Sequence, residues 1–486
     1  MATTPNTVRA TGTAAPPQAG APAAPHWATL PIVLAGPLLS GIDFFIVNVA
    51  IPSVQSNLHA SAASIQLIIA GYALTYGVGM ITGGRLGDRF GRRNMFALAM
   101  ALFTAASVAC GLAPTAGFLL GSRVVQGASA ALMAPQVLSI FSTVYGGEAR
   151  AKAINWYGFT LGLGAVLGQI IGGLLIGANL FGLDWRTCFL INLPVGIVAV
   201  ILTLKYVPES HAPGRPKLDL VGMVLVTLAL LALVLPLTEG RQQGWPLWTF
   251  LCLIASVPLF LAFGLYQNRL QARGGSPLVD LGLFRERAFS VGLAGQLIFW
   301  TGQASFFLVF ALYVQQGRGM SALGAGLIFG ALGLGYMLSS MSARRVALVI
   351  GRQVIALGGL LRVVGLIAQI VVVARIGVGG NVAWLIPALF VDGAGMGFAV
   401  APLASTVLAR VKPANVGAAS GVLTTGVQVG NALGVAVIGL IFYNLLHHGS
   451  GTGAYATAFN YSLFYLIGIG LALASLVQLL PRHKAT

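Results

Sequence analysis

Four ionisable side chains interrupt apolar stretches that are long enough to cross a lipid bilayer. They are Asp43, Arg123, Arg362 and Asp392. A charge at the centre of a bilayer costs roughly 2.5–3.5 kcal/mol on a mild insertion scale, so such a residue faces a cavity or a partner. Burial raises the pKa of a carboxyl and a nearby cation lowers it, so a carboxyl whose surroundings alternate can bind and release a proton. These residues therefore indicate proton coupling.

Each of these residues has a structural alternative to a coupling role. Asp43 is predicted to carry the proton, unless it pairs permanently with a neighbour and only orders its span. Arg123 keeps its proton in practice, so it is predicted to be a fixed counter-charge unless it only binds backbone carbonyls. Three roles remain open for Asp392: it carries a second proton, it attracts a cationic substrate, or it is the local partner of Arg362.

Amide and indole side chains inside the apolar stretches are candidates for contact with a substrate. Spans that bind a substrate usually do so near the middle of the bilayer, at the interface between repeated halves. Aromatic side chains in spans more often face lipid or the protein core, which is the alternative for each indole. The predicted cavity residues are Asn48, Gln126, Trp156, Gln296, Trp300, Gln303 and Gln428.

No enzyme centre is visible among the residues that usually build one. The six histidines all fall in predicted loops or tails, and the three cysteines lack metal-ligand spacing. A polytopic membrane enzyme would need a nucleophile with its base, or a metal cluster, at one membrane face. We therefore predict no catalytic residue, no metal and no cofactor. A membrane-embedded sensor is the other rival, but no soluble signalling domain is apparent.

The amino-acid composition indicates that the candidate residues lie in a protein embedded in lipid. Charged residues make up 8% of the 486-residue chain, hydrophobic residues make up 57%, and the mean hydropathy is +0.89. Soluble domains contain roughly 25% charged residues, so lipid must cover most of this surface. The net charge of +17 is spread along the chain in short groups between apolar stretches, which disfavours nucleic-acid binding.

The apolar stretches predict fourteen helical spans of about 20 residues each. Cytoplasmic loops of membrane proteins are enriched in Lys and Arg. With both termini in the cytoplasm, 21 of the 27 basic residues fall on the cytoplasmic side. We therefore predict a multi-pass membrane protein with both termini inside. Arginine outnumbers lysine 22 to 5, which is typical of a GC-rich bacterial genome, so the predicted location is a bacterial plasma membrane.

A weak internal repeat predicts how the spans are grouped. Three glycines of the fifth span, Gly164, Gly168 and Gly172, recur 262 residues later in the thirteenth. Such seams allow helices to pack closely in lipid, although chance recurrence of a common residue is the alternative. The predicted domains are a disordered tail at 1–26, a six-helix half at 27–206, a linker with two inserted helices at 207–288, a second six-helix half at 289–480 and a tail at 481–486.

A segment between the second and third spans combines glycines, arginines and one acid. Its glycines permit a tight turn and close approach. Asp88 can interact with a helix N-terminus and with a nearby arginine, which would form a latch between helix ends. A basic loop that only sets topology is the alternative, but it leaves the acid unexplained. The predicted latch residues are Gly84, Arg85, Gly87, Asp88, Arg89, Gly91 and Arg92.

This segment resembles the signature loop of the major facilitator superfamily. Three further segments resemble motifs of its fourteen-helix drug:proton antiporter branch. They begin at Gly41-Ile42-Asp43, at Arg123-Val124-Val125-Gln126-Gly127 and at Ile191-Asn192-Leu193-Pro194. The resemblance implies an all-α polytopic membrane protein with the major facilitator fold, in which two six-helix halves flank two inserted helices. It further implies export of small amphipathic drugs or antibiotics in exchange for protons.

Two departures from the family pattern limit this expectation. The antiporter motif of the fifth span, with Gly164, Gly168, Gly172 and Gly173, has Gln169 where the family has proline, so a helix kink is not expected. The loop in the second half has Leu348 where Asp88 would fall. Uptake or facilitated diffusion of a metabolite is the alternative function. The expected partners are a small-molecule substrate, protons and membrane lipids, and the chain is expected to work as a monomer.

Overall fold

The protein is described here from a computed structural model. It covers residues 26–212, 218–240, 243–320, 322–408, 411–412, 415–447 and 453–480. Within these ranges all regular structure is helical. Hydrogen bonds inside a helix satisfy the backbone without water, which is what a chain surrounded by lipid requires. The predicted all-α polytopic fold is therefore confirmed.

The first seven helices form one packed group. Ser61 and Thr115 cap the N-termini of the second and fourth helices, accepting hydrogen bonds of 3.2 Å from Ser64 and Phe118 backbone amides. Gly91, at a φ of +101°, forms the tight junction between the second and third helices. The group comprises α1 (Thr29–Asn57), α2 (Ala62–Phe90), α3 (Arg92–Gly111), α4 (Ala116–Val144), α5 (Gly147–Ala178), α6 (Thr187–Leu190) and α7 (Asn192–Tyr206).

A second group is formed by six long helices near the C-terminus, and two further helices connect the groups. The second group comprises α10 (Arg287–Ala311), α11 (Ala322–Ile350), α12 (Gln353–Ile376), α13 (Ile386–Leu408), α14 (Val416–His447) and α15 (Gly453–Leu476). The connecting helices are α8 (Leu220–Glu239) and α9 (Leu247–Ala272). Thirteen helical stretches in the described ranges are long and apolar enough to cross a membrane. The 32-residue α5 adds a further long helix to these.

Glycine seams hold equivalent helices together in the two groups. α5 packs on α1, where a Cβ added to Gly168 would lie 2.7 Å from the Ile42 carbonyl oxygen. α14 packs on α10, where a Cβ added to Gly430 would lie 2.9 Å from the Leu297 carbonyl oxygen. Larger side chains would force these helices apart. The two sets of glycines seen in the sequence therefore make equivalent contacts.

The connecting helix α8 packs beside the contact between α2 and α14, and α9 packs against α8. Val234 and Leu237 of α8 cluster with Ala432 and Ala436 of α14. α9 exposes a row of aliphatic side chains, among them Ile254, which is 68% exposed. Apolar patches of this kind are rare on soluble monomers, so this face suits lipid.

The two groups touch at one end of the molecule, where α2 meets α3 and α11 meets α12. We call it the basic-loop end. There Arg344 and Glu148 form an ion pair of 2.5 Å, and Arg150 donates a 2.7 Å hydrogen bond to the Leu408 carbonyl. Closer to the centre, the Tyr336 hydroxyl donates to the Gly158 carbonyl. The passage between the groups is therefore closed toward the basic-loop end.

Candidate functional site

A buried ion pair lies inside the first group of helices. The Arg123 guanidinium of α4 is 2.5 Å from one carboxylate oxygen of Asp43 on α1. The other oxygen accepts hydrogen bonds from the side-chain amides of Gln126, at 2.8 Å, and Asn192, at 3.0 Å. Asp43 is 0% exposed and Arg123 is 1% exposed. The carboxylate therefore reaches three donors from α4 and α7 without contact with solvent.

Further groups hold these donors in place. The Ser107 hydroxyl accepts hydrogen bonds from Gln126, at 2.7 Å, and Asn192, at 3.2 Å. The Arg123 guanidinium lies 4.2 Å from the ring centroid of Tyr72, where the aromatic face stabilises its charge. The cluster is neutral when the pair is ionised. Gain of a proton by Asp43 would leave the buried guanidinium without its counter-charge.

A central cavity lies between the two groups and is separate from the ion pair. Its volume is about 190 Å³. Ser40, Gly41, Phe44 and Phe45 of α1 line it, whereas Asp43 faces the opposite side of the same helix. α1 therefore forms both the cavity wall and one half of the ion pair.

The predicted cavity residues divide into three sets. Gln296, Trp300, Gln303 and Gln428 line the cavity. The side chain of Asn48 lies outside the part of the chain that the structure describes.

Two of the predicted cavity residues are placed elsewhere. Gln126 points to Asp43 rather than to the cavity, because Asp43 and Ser107 offer it buried partners. Trp156 lies off the cavity wall, 39% exposed and edge-on to Phe159, as expected of an indole that faces lipid. The expectation that these two residues line the cavity is therefore corrected.

Sequence reasoning missed most of the aromatic wall. The side chains it did not single out are Phe44, Phe45, Tyr76, Tyr157, Phe307, Phe329 and Tyr336. Their helices are apolar on every side, so no pattern distinguishes a cavity face from a lipid face. Asn192 was also missed as an Asp43 ligand, although its segment resembles a family motif.

The second buried pair lies in the other group of helices. The Arg362 Nε of α12 donates a 2.9 Å hydrogen bond to Asp392 on α13. The guanidinium also lies 5.3 Å from the ring centroid of Phe299. Asp392 is fully buried and, like Asp43, does not line the cavity. Of the three roles left open for Asp392, the observed geometry is that of a local partner of Arg362.

The signature segment occupies the basic-loop end. Asp88 lies in the last turn of α2 and forms a 2.7 Å ion pair with Arg92, and both side chains are buried. A Cβ on Gly417 would collide with the Asp88 carboxylate, which places this acid at the N-terminus of α14. The positive end of a helix dipole favours an acid at this position. Asp88 therefore joins both groups of helices.

The other residues of this segment make separate contacts, and among them Gly84 lies at the contact with α14. Gly84 lies against the Gly417 carbonyl, and Gly87 leaves room only for the Gln136 amide. Arg85 donates a 2.6 Å hydrogen bond to the Pro277 carbonyl in the segment after α9, and Arg89 lies 5.5 Å from the Phe90 ring centroid.

The antiporter-motif glycines have unequal surroundings. Gly164, Gly168 and Gly172 face α1, whereas a Cβ on Gly173 would meet nothing within 4 Å. The side chain of Gln169 lies outside the described residues. The corresponding loop of the second group has Leu348 71% exposed, so it makes no comparable latch.

Long apolar helices in two groups, with a cavity between them and a seal at one end, define a polytopic membrane transporter. The family model described as Major Facilitator Superfamily matches residues 33–435. The chain therefore belongs to the Major Facilitator Superfamily.

Similar proteins include several from Streptomyces. The chain is 40% identical over 457 residues to a probable actinorhodin transporter of Streptomyces coelicolor, covering 92% of this chain and 76% of the relative. It is 33% identical over 465 residues to a puromycin resistance protein of Streptomyces alboniger, covering 93% and 90%. It is 33% identical over 425 residues to a tetracenomycin C resistance and export protein of Streptomyces glaucescens, covering 85% and 76%.

Solved structures show the same fold at low sequence identity. The human organic anion transporter MFSD10 superposes with a TM-score of 0.63 at 16% identity, covering 93% of this chain and 99% of that one. The proton:xylose symporter XylE superposes with a TM-score of 0.62 at 15% identity, covering 94% and 99%. These likenesses concern the fold alone.

Proposed function

We propose that the protein is a secondary active transporter that exports small amphipathic drugs or antibiotics in exchange for protons. The names of three relatives support export, because they are called transporters or resistance proteins for actinorhodin, puromycin and tetracenomycin C. The aromatic and amide lining of the central cavity supports an amphipathic substrate. Such side chains bind apolar rings and fix a few polar groups.

The observation that supports proton coupling best is the position of Asp43. Asp43 is paired with Arg123 on the face of α1 that is turned away from the cavity. Ser40 and Phe44, on the other face of the same helix, line the cavity. Proton binding would cancel the carboxylate charge and release α1 from α4. Movement of α1 would then change the cavity, so proton and substrate need not compete for one site. Arg123 is the fixed counter-charge in this scheme.

The available energy is sufficient for such a cycle. Each proton that enters across 100 mV supplies about 2.3 kcal/mol. Each unit of pH difference supplies about 1.4 kcal/mol more. Together they support a substrate gradient of roughly 100- to 1000-fold per proton.

We propose that Asp88 and its segment form the conformational latch. If the basic-loop end faces the cytoplasm, this structure is closed on the inside. Uptake of substrate from the cytoplasm then requires α2 to separate from α14, which breaks the contact of Asp88 with the first turn of α14. Gly84 allows the close approach to α14 that this contact needs, while Gly87 and Gly91 leave room for the side chains of Gln136 and Glu209.

Asp392 is the second candidate for proton coupling. It is a buried carboxylate with a cationic partner, Arg362, as Asp43 is with Arg123. Because α13 also lines the cavity through Met396 and Val400, a change at Asp392 could reach the substrate. Asp43 remains the first choice, because it also lies in a segment resembling the antiporter motif.

We further propose that the protein acts as a monomer in a bacterial plasma membrane, with both termini in the cytoplasm. The two groups of helices enclose the cavity within one chain, which supports the monomer. Reporter fusions after residues 178 and 450 test the topology, and both should report the outside. A cytoplasmic signal at either position would contradict fourteen spans with both ends inside.

Transport in everted membrane vesicles tests the proposed exchange. Vesicles from an efflux-deficient host that produces the protein are acidified inside, and a panel of antibiotics is added one at a time. A substrate should accumulate in the vesicles and raise their internal pH, and a protonophore should abolish both effects. Equilibration without a pH change would instead identify facilitated diffusion. The same vesicles without the protein provide the control.

A further inference from the structure

The segment between α9 and α10 is bonded to both groups of helices. Arg85, near the end of α2 in the first group, donates a 2.6 Å hydrogen bond to the Pro277 carbonyl of this segment. Asn415, just before α14 in the second group, donates a 2.9 Å hydrogen bond to the Asp280 carboxylate. The two acceptors are three residues apart in the sequence. We call residues 277–280 the strap, because they join the groups at the basic-loop end.

The strap has little slack with which to follow a separation of the groups. Leu278 is 0% exposed and Val279 is 2% exposed, and both belong to one apolar cluster with side chains of α2 and α14. Ile81 of α2 and Val422 of α14 are members of this cluster. Three residues span at most about 10 Å when fully extended. Movement of α2 away from α14 must therefore break a strap contact or pull buried side chains out of the cluster.

The connecting helices α8 and α9 hold the strap in position. The Val279 backbone amide donates a 3.2 Å hydrogen bond to the side-chain oxygen of Gln267 on α9. Gln267 in turn donates through Nε2, at 2.6 Å, to Asp219, which caps α8 by accepting from the Gly222 amide. Gln267 is 0% exposed, so water does not compete for these hydrogen bonds. The strap is therefore fixed to the ends of both connecting helices.

The attachment through Arg85 includes an attraction between charges. Its side chain is 5% exposed, and Asp88, Asp219 and Asp280 all lie close enough to attract its charge. Asp219 begins α8 and Asp280 ends the strap, so two of the three acids lie on the far side of the contact. Hydrogen bonds from a charged donor are stronger than neutral ones. Separation of α2 from the strap therefore breaks a charged hydrogen bond and weakens these attractions.

From these contacts we propose that the connecting helices are a conformational device that holds the strap across the basic-loop end and keeps that end closed. Arg85 fastens the strap to the first group, and Asn415 fastens it to the second. Opening of the cavity toward the basic-loop end requires release of Arg85 from the Pro277 carbonyl. This inference rests on the alternation of access in the proposed export function. It adds a fastening separate from the contact of Asp88 with α14.

The distance between two spin labels tests this role without any substrate. The labels are attached through Lys152→Cys, at an exposed position of α5, and Val349→Cys, at an exposed position near the end of α11. Cys252 is replaced by serine, and the buried Cys110 and Cys188 are kept. Pulsed electron paramagnetic resonance on the full-length protein in lipid nanodiscs then measures the populations with short and long distances, which are closed and open at the basic-loop end.

Loss of either attachment should increase the open population. Arg85→Gln should raise the ratio of open to closed molecules roughly 10- to 150-fold, as loss of a charged hydrogen bond implies. Asn415→Ala should shift the ratio in the same direction but less, because the strap remains continuous with α10. Arg273→Gln makes the first change at an exposed arginine after α9 and should leave the ratio unaltered. An unchanged ratio in Arg85→Gln would overturn the proposal.

The double variant distinguishes one strap from two independent contacts. Arg85 resists opening only while the strap is held to the second group. Arg85→Gln should therefore shift the ratio less in the Asn415→Ala background than in the unaltered protein. Equal shifts in both backgrounds would contradict a single strap. If Arg85→Gln does not elute as a single species, Asn415→Ala decides, and an unchanged ratio in that variant overturns the proposal.

The outcomes also distinguish this inference from the export function. If Arg85→Gln and Asn415→Ala open the basic-loop end but the unaltered protein exports no antibiotic, the exchange mechanism fails and the strap stands. If export against a gradient is found while neither variant changes the label distances, the exporter stands and the strap fails.

Discussion

The two ion pairs are both buried but differ in the helices that they hold together. Asp43 joins α1 to α4 and α7 through Arg123, Gln126 and Asn192. Asp392 joins α13 to α12, which are already in backbone contact. A Cβ on Gly358 would lie 2.6 Å from the Gly395 carbonyl oxygen. The first pair therefore links helices that otherwise pack loosely on each other, while the second reinforces two helices already in close contact.

The sequence around Asp392 resembles a segment of the first group of helices. Asp392 lies in Val391-Asp392-Gly393-Ala394, and Val125-Gln126-Gly127-Ala128 stands 266 residues earlier. The acid of the second group thus corresponds to Gln126, the amide that supports Asp43 in the first. Equivalent positions therefore carry an amide in the first group and an acid in the second. The comparison predicts that energy coupling depends on the first group.

The largest effect is expected from Asp43→Asn. Asparagine keeps the size and polarity of the side chain but cannot titrate. Like Asp392→Asn, the change leaves a buried arginine without its counter-charge and lowers stability, so pH-driven accumulation in everted vesicles is compared per folded molecule and should fall to background. Substrate binding should remain measurable, because Asp43 does not line the cavity. Accumulation against a gradient by this variant would mean that another group carries the proton, and Asp392 would be tested next. The same change at Asp392 provides the comparison between the two ion pairs.

The latch should give the next largest effect. Asp88→Asn removes the charge from a buried hydrogen bond worth about 1.5–3 kcal/mol, which shifts a conformational equilibrium roughly 10- to 150-fold. Initial transport rates should fall while the amount of protein in the membrane is unchanged. Leu348→Asn, at the exposed equivalent position, is the control and should transport normally. Normal rates in Asp88→Asn would show that the segment only sets topology.

Asp392→Asn should affect stability more than coupling. Removal of one partner leaves Arg362 buried without its counter-charge, a loss of about 3–5 kcal/mol for such pairs. The melting temperature in detergent should drop, while pH-driven accumulation per folded molecule stays within about threefold of the unaltered protein. Abolished accumulation at an unchanged melting temperature would place a second proton in the cycle and remove the asymmetry.

The smallest effect is expected at the exposed ion pair of the basic-loop end. Glu148 is 75% exposed in its pair with Arg344, and such pairs contribute about 0–1 kcal/mol. Glu148→Gln should change transport by less than about twofold. A larger loss would mean that this pair, rather than Asp88, closes the basic-loop end.

The sequence predicted the helices far better than the faces they present. Asp43 and Arg123 were identifiable because a charge inside an apolar stretch is costly. Asp88 was identifiable because a basic loop that only sets topology does not explain an acid between glycines. The choice of Gln126 for the cavity was wrong, because its spacing along α4 says nothing about which helix lies opposite. The sequence left three alternative roles for Asp392, one of them as the partner of Arg362. The 2.9 Å hydrogen bond between the two side chains supports that role.

The sequence by itself determined that the chain crosses a membrane many times, because span length and the cost of burying charge are local properties. It also determined the chemistry available at each position. The tertiary structure decided that Asp43 faces Arg123 while Phe44, its neighbour, faces the cavity. Among the residues that the structure describes, it also gave Gln303 no hydrogen-bond partner. The physical reason is that these helices are apolar all round, so burial against protein and exposure to lipid look alike in the sequence.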